Sequence, residues 1–461
     1  MDDDDESGAH VPVPRRGIWG WMLFDWAQQP FHTLIITFVF APYFAAAVAP
    51  DAARGQELWG YATGMGGLLI ALSSPVLGAI ADASGTRKPW VFAFSVVGVI
   101  GCWLLWYATP GMGSDMGDLT FVLIAIALAV FGMEFAAVFN NAMMPGLVPR
   151  AELGRLSGSA WGLGYVGGLI SLVLVLGFEP ILGLDPLSRE GDRASGPLTA
   201  LWYVIFALPM FLFTPDIPRK AARSGAIRRG LDNLVATLRR LPGEKSYFGF
   251  LMSSMFYRDA LNALYAFGGI YAAGVLGWSI IQIGIFGILA NITGALGAWI
   301  GGRADQRYGP KVVVTWSILI LILCCVMIIS TTPTQVLFMT VAAQAGESSL
   351  PSIVFYAAGA LIGSAGGSIQ AASRTLLVDQ VERDRVTEAF GLYALSGKAT
   401  TFIGPLAIAF ATAFFASEVF GFTTQEAQRL GVTPIIVLFV IGLVLLPLVK
   451  TRYYAPEAAA G

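Results

Sequence analysis

The chain has 461 residues, of which 56% are hydrophobic and only 13% charged, with a net charge of −2 and a mean hydropathy of +0.69. A soluble domain carries about 25% charged residues, so a water-facing globular surface is excluded, and so is disorder, which needs an apolar-poor chain. The net charge gives nucleic acid nothing to bind, and two His with three Cys in apolar runs (Cys102, Cys324, Cys325) leave too few ligands for a zinc or iron–sulfur site and no disulfide framework; no cofactor is expected.

In chain order, the acidic start MDDDDESGAH is the wrong sign for a cleavable signal. Residues 1–17 read as a disordered acidic tail, and the apolar segment after it as a retained span. A helix needs about 20 apolar residues to cross a bilayer. Twelve stretches qualify: 18–48, 57–82, 89–109, 119–145, 157–183, 198–214, 246–275, 279–303, 311–331, 351–377, 387–416 and 433–451. Pro30 predicts a kink or tilt in the first. The stretch 332–350 reads as an exterior loop with a short amphipathic piece. With both termini inside, Arg15, Arg16, Arg87, Lys88, Arg150, Arg155, Arg303, Arg307, Lys311, Arg383, Arg385, Lys450 and Arg452 fall on the interior side, and only Arg54, Arg189, Arg193 and Arg429 outside. The predicted fold class is an all-α polytopic membrane protein of twelve transmembrane helices.

The segment 215–245 carries most of the remaining basic residues, with Leu231, Leu234, Val235 and Leu238 at helical spacing. It reads as a linker holding an amphipathic helix on the anionic inner leaflet, with membrane lipids as its partner. It divides the chain into six-helix bundles over 18–214 and 246–451, followed by a tail, 452–461. The bundles repeat. Gly78-Ala-Ile-Ala-Asp82-Ala-Ser-Gly85-Thr-Arg87-Lys88 follows the second span, and Gly301-Gly-Arg-Ala-Asp305-Gln-Arg-Tyr-Gly309-Pro-Lys311 the eighth. Glu152-x-x-Arg155 after Leu147-Val148 is matched by Glu382-x-x-Arg385 after Leu377-Val378. Parallel six-helix repeats are the plan of one large transporter class.

These paired loops resemble the signature of the major facilitator superfamily, where the loop is a latch between halves that breaks as the transporter rocks. The physical logic fits: Gly78 lets a helix end approach closely, Asp82 can accept amides at a helix N-terminus, and Gly85 permits a tight turn. A narrower resemblance rests on Trp21-Met-Leu-Phe-Asp25-Trp26-Ala-Gln28-Gln29-Pro30-Phe31, Phe256-Tyr257-Arg258-Asp259-Ala-Leu-Asn262, and Phe390-Gly-Leu-Tyr393-Ala-Leu-Ser-Gly-Lys398, with Asn140-Asn141 and Arg155-x-Ser-Gly-x-x-Trp161. These look like the vacuole-effluxer-like branch, whose fungal members are linked to amino-acid export from the vacuole. At Gln28-Gln29-Pro30 the chain departs from that branch's usual Asn-Ser and small residue, at positions the resemblance places on the cavity.

Asp25, Glu134, Arg258, Asp259 and Lys398 lie inside predicted spans, where a charge costs at least about 2.5–3.5 kcal/mol. They are expected to face an aqueous cavity or pair with one another. Asp25 or Asp259, then Glu134, are the proton-binding candidates. Arg258 and Lys398 can hold an anionic end of a substrate, and Asn140, Asn141, Asn262, Gln282, Tyr393, Gln370, Gln28 and Gln29 can supply neutral hydrogen bonds. The alternative is structural: a fixed Arg258–Asp259 or Asp25–Lys398 ion pair. Gly162-Leu-Gly164-Tyr-Val-Gly167 matches a dinucleotide fingerprint but lies inside a span, so it reads as helix packing. With no phosphate-binding loop for ATP and no nucleophile–base pair, the expected function is not enzymatic. It is secondary active transport of a small polar solute, an amino acid or related zwitterion or organic anion, by alternating access. Protons are the expected coupling ion and the expected form is a monomer in the plasma membrane (the inner membrane of a Gram-negative cell). The alternative on the same fold is a lipid or amphiphile flippase or a transport-inactive receptor.

Overall fold

The computed structural model describes residues 12–50, 52–216, 226–278, 280–341, 349–400, 403–415, 417 and 422–451. The first eleven residues and the last ten, which hold most of the two expected tails, lie outside them. Helix α1 (Arg15–Pro30) runs on through π-helical turns at Phe31–Phe38 and Phe44–Val48, which flank the short α2 (Phe40–Tyr43). Pro30 has no amide hydrogen to donate, and the ladder widens directly after it. Helix α3 (Ala52–Ser84) stops where Gly85 turns to φ +94°, and α4 (Lys88–Leu104) starts with Pro89 in its first turn. Helix α5 (Met116–Asn141) begins on Asp115, whose carboxylate accepts the amides of Gly117 and Asp118 at 2.6 and 3.2 Å. Helices α6 (Leu153–Leu182) and α7 (Glu190–Phe213) follow.

Beyond α8 (Ala226–Arg240) come α9 (Lys245–Leu276), α10 (Ile280–Tyr308), α11 (Pro310–Ile329), α12 (Leu350–Val378), α13 (Val386–Ala399), α14 (Ile403–Phe415), α15 (Thr424–Gly431) and α16 (Thr433–Leu445). Among the described residues, ten helices are long and apolar enough to cross a membrane. The two other predicted spans, 246–275 and 387–416, fall on α9 and on α13 with α14. The latter is two helices where one was expected; Pro405 lacks the amide hydrogen that an unbroken helix needs there. Within the stretch 332–350, Gln335–Val336 (β1) pairs antiparallel with Met339–Thr340 (β2) around Leu337 and Phe338, both at positive φ. That turn geometry matches the twist of a two-residue hairpin. Residues 342–348 lie outside the description.

Helix α1 packs on α6 and α7, α4 on α5, and α9 on α16. Helices from the two halves of the chain meet along two seams, α3 with α13 and α6 with α10 and α12. Phe24, Phe31, Phe135, Phe139 and Phe355 are fully buried, whereas Leu68, Leu72, Ile205, Leu212, Trp316 and Val444 point outward. Outward apolar side chains on spans are the lipid-facing surface that the composition demands.

Candidate functional site

The charged residues singled out by the sequence fall in two places, one inside the helices and one at their basic ends. Inside, Asp25 of α1 is held by Arg374 of α12 in a two-pronged pair, Nη1 to Oδ2 at 2.7 Å and Nη2 to Oδ1 at 3.1 Å, with both side chains about nine-tenths buried. The Arg374 guanidinium also lies 4.8 Å over the Trp161 ring of α6. Parallel forked bonds between charged groups are the strongest polar contacts a protein makes, and a cation over an indole adds to them. The glycines of α6 let α1 come this close: a Cβ at Gly164 would sit 3.3 Å from the Asp25 carbonyl oxygen. The 162–167 segment is helix packing, as its place inside a span implied.

An Asp25–Lys398 ion pair was the structural alternative for this carboxylate. Asp25 takes Arg374, while Lys398 lies on α13 with its side chain outside the described residues. Arg258 and Asp259 do not form the fixed pair considered for them. Adjacent residues diverge by about 100° around a helix and do not face each other. Arg258 donates to the Tyr393 carbonyl oxygen at 2.8 Å and stacks on that ring at 3.9 Å. Asp259, 2% exposed, accepts the Gly404 amide at 2.9 Å near the start of α14, and its Oδ1 has no hydrogen-bond partner among the described residues.

The neutral candidates divide. Asn140 is fully buried, and both ends of its amide, like Oδ1 of Asn141, find no partner among the described residues; its carbonyl oxygen takes the Trp21 indole N–H at 2.8 Å. Gln28 donates to the Met133 carbonyl oxygen at 3.0 Å, and Gln29 lies against Gly164 and Gly168 of α6. Gln370 donates to the Tyr165 hydroxyl at 3.2 Å, and Tyr165 is hydrogen-bonded to Tyr265 across the halves of the chain. Glu134 and Gln282 are half-buried on α5 and α10, and Asn262 is exposed on α9. Arg374 was missed. An Arg near the end of a predicted span reads as a membrane-end charge, and a pairing across 349 positions leaves no local trace.

At the basic ends, Asp82 pairs with Arg87, and its carboxylate accepts the Thr387 and Glu388 amides at 3.3 and 2.8 Å. The acceptor role expected for Asp82 is realised on α13, in the other half of the chain. Arg87 Nε donates to Thr387 Oγ1 at 3.0 Å, and Asp216 accepts the amides of Arg87 and Lys88 at 2.9 and 3.1 Å. Burial pulls the Arg87 pKa below its ordinary value, against the carboxylates of Asp82 and Asp216. Lys88 Nζ reaches the Phe211 carbonyl oxygen at 3.0 Å. A Cβ on Gly78 would stand 2.6 Å from the Thr387 carbonyl oxygen, so only glycine lets α3 and α13 approach this closely.

The second copy is built differently. Gly309 turns at φ +86°, as Gly85 does, and Gly301 packs against Ser368. Asp305, however, is buried against Gly154 at the start of α6, with Oδ2 unpartnered among the described residues. Lys311 ties to the Val449 carbonyl oxygen at 2.7 Å. The halves are joined here by Arg150 and Asp379 (Nε to Oδ1, 2.8 Å) and by Ser157 Oγ donating to the Ala371 carbonyl oxygen at 2.8 Å. Glu152, Arg155 and Glu382 are exposed, while Arg385 donates to Thr237 Oγ1 of α8 at 2.6 Å and lies 3.6 Å from Glu388.

Comparison with known proteins matches this architecture. The chain is 25% identical over 436 residues to an uncharacterized MFS-type transporter, YxiO, of Bacillus subtilis (strain 168), covering 93% of this chain and 94% of that one. Its fold is shared with the Escherichia coli fucose:proton symporter FucP (TM-score 0.66, 15% identity, 94% and 98% of the two chains) and with a bacterial homologue of the iron transporter ferroportin in an outward-facing state (TM-score 0.67, 13% identity, 95% and 99%). The family described as vacuole effluxer Atg22 like matches residues 58–459. With the paired loop motifs, a helical bundle sharing the fold of major facilitator transporters and a match over most of its length, the chain belongs to the vacuole effluxer Atg22-like family of MFS-type membrane transporters.

Proposed function

We propose that this transporter is a secondary carrier. It moves a small polar solute bearing a carboxylate, an amino acid or related zwitterion or organic anion, between two six-helix units joined by the 215–245 linker, with the basic helix ends facing the cytoplasm. The observation that carries the reading is the Asp25–Arg374 pair, which joins α1 to α12 across the two halves of the chain. A proton on Asp25 leaves Arg374 with an unmatched fork of donors, the shape a carboxylate fits. A substrate carboxylate that takes the place of Asp25 then travels with that proton. The side-chain amide of Asn140 and Oδ1 of Asn141, unpartnered among the described residues, offer donors and acceptors for the rest of a polar solute. The seams closed at the basic ends, by Asp82 with α13 and Arg150 with Asp379, suit a carrier holding one of its two access states.

The test uses proteoliposomes with a trapped pH dye and an imposed membrane potential, challenged with amino-acid pools one class at a time. Acidification that follows one pool and disappears in Asp25→Asn supports the reading. Labelled amino acid that exchanges with no pH change removes proton coupling. Neither flux nor exchange removes the amino-acid class and leaves a lipid or amphiphile substrate as the reading to pursue.

A further inference from the structure

Helix α8 joins the two halves of the chain in sequence, and it also touches both. At about 3.6 residues per turn, Leu234 and Thr237 share one face, and both are buried, Thr237 to 1% exposure, where α8 lies on α3. The adjoining sector holds Leu231, Val235 and Leu238, which stay 39%, 45% and 46% exposed. Arg228 and Arg239 edge that sector on its far side, both in the open, and Arg240 is also exposed. The apolar face is thus wider than the protein needs: half is spent on α3 and half faces outward, bordered by positive charge.

The buried face ends on the latch. Thr237 Oγ1 accepts from Arg385, Arg385 lies beside Glu388, and the Glu388 amide is capped by Asp82 of α3. The chain of contacts runs from α8 through the second half of the chain and back to the first.

The geometry points to α8 as a bilayer-docked strap. Its outward apolar strip and arginines sit on an anionic lipid surface, and that docking holds Thr237 against Arg385 and keeps the α3–α13 seam closed. The occupant is the membrane itself, for two reasons. The strip lies beside α3, a candidate membrane-spanning helix, at the end where Asp82 caps α13, so a bilayer edge is already there. Apolar side chains bordered by arginine also match acyl chains beneath anionic headgroups, each basic residue adding attraction that salt screens.

The experiment needs no substrate, so its outcome is independent of the transport reading. Ser157 is buried in the α6–α12 seam, and Cys102, Cys324 and Cys325 are buried thiols. Ser157→Cys in the full-length protein therefore gives one maleimide-reactive site that responds when the two halves part at the basic helix ends, where the α3–α13 seam is latched as well. The protein is placed in nanodiscs of phosphatidylcholine with or without phosphatidylglycerol. Labelling should be about fivefold slower with the anionic lipid, a typical size for coupling between two sites. The triple change Arg228→Gln, Arg239→Gln, Arg240→Gln, all on the exposed side, should make the two compositions equal. Thr237→Val should label quickly in both, because the docked helix no longer reaches the latch. Equal labelling of the parent protein in the two lipids overturns the proposal and is the result expected if a soluble protein covers the strip. Lipid dependence that survives the triple change, or Thr237→Val, also overturns it. Ser74→Cys, at the α3–α13 seam, repeats the measurement if the first reporter destabilises the fold.

Discussion

The same loop motif occurs twice and does two different jobs. At the end of α3, Asp82 is a hub: it pairs with Arg87 and caps the start of α13 through two amides. In the last turn of α10, Asp305 is equally buried, yet it rests against Gly154 with one oxygen unpartnered among the described residues. The cause lies in the next few residues. The first copy places an Arg two positions after its glycine, close enough to fold back on the aspartate. The second has Gly309-Pro310-Lys311, and its lysine is spent on the Val449 carbonyl oxygen. Arg150 and Asp379, outside the motif, join the halves there. The motif marks where two helix ends come together; the neighbouring residues decide what holds them.

The intramembrane carboxylates show the same divergence, and there the largest effect is expected. Arg374→Gln leaves Asp25 buried without its cation, and breaking one side of a buried pair costs about 3–5 kcal/mol. The thermal midpoint of the purified protein in detergent should fall sharply, and Asp25→Asn added to Arg374→Gln should recover most of the loss. A single variant that melts like the parent would mean that the pair contributes nothing to the fold. At the loops, Asp82→Ala removes a cap worth about 0.5–2 kcal/mol and strands a buried guanidinium, whereas Asp305→Asn should stay within about 1 kcal/mol of the parent because the carboxylate it replaces has an unmet oxygen. Equal losses at the two sites would show that the copies are equivalent in spite of their different partners.

Much of this was readable from the chain. Span positions, the turns at Gly85 and Gly309, and a helix in the linker follow from period, composition and glycine placement, which are local properties. Asp82 as an acceptor for helix amides was also readable, because a carboxylate in the last turn before a glycine bend lies where the next helix can start against it. Partner identity was not. The Asp25–Arg374 pair joins residues 349 positions apart, and Arg374 sits where a span end would ordinarily place a charge. The hairpin at Gln335–Thr340 escaped because strands this short leave no periodicity to detect. The division of labour between Arg258 and Asp259 depends on which way adjacent side chains turn, and that is fixed only once α13 and α14 are packed against α9.

Asp25 and Asp259 each lie on the first helix of their half of the chain, α1 and α9, so their replacement sharpens the comparison. Asp259→Asn keeps an oxygen for the Gly404 amide and should cost less than about 0.5 kcal/mol, while Asp259→Leu loses that acceptor and should cost about 1–2 kcal/mol. The same graded pair at Asp25 should behave differently. There even Asn discards the charge that Arg374 needs, so stability falls for Asn and Leu alike. Matched melts of the four variants decide whether the two carboxylates do the same work.

The smallest effect is expected at Arg155, one of the last repeated pair, Arg155 and Arg385. They align in sequence, yet Arg155 is exposed while Arg385 bonds Thr237 and sits beside Glu388. Exposed charges contribute little, so Arg155→Gln should leave stability within about 0.5 kcal/mol of the parent. Arg385→Gln gives up a charge-assisted hydrogen bond and should cost about 1–2 kcal/mol. Raising the salt concentration should leave this gap standing, because the Arg385 contacts are partly buried and poorly screened. A gap that closes with salt would assign the cost to surface charge, and the two copies would then differ only in how they are exposed.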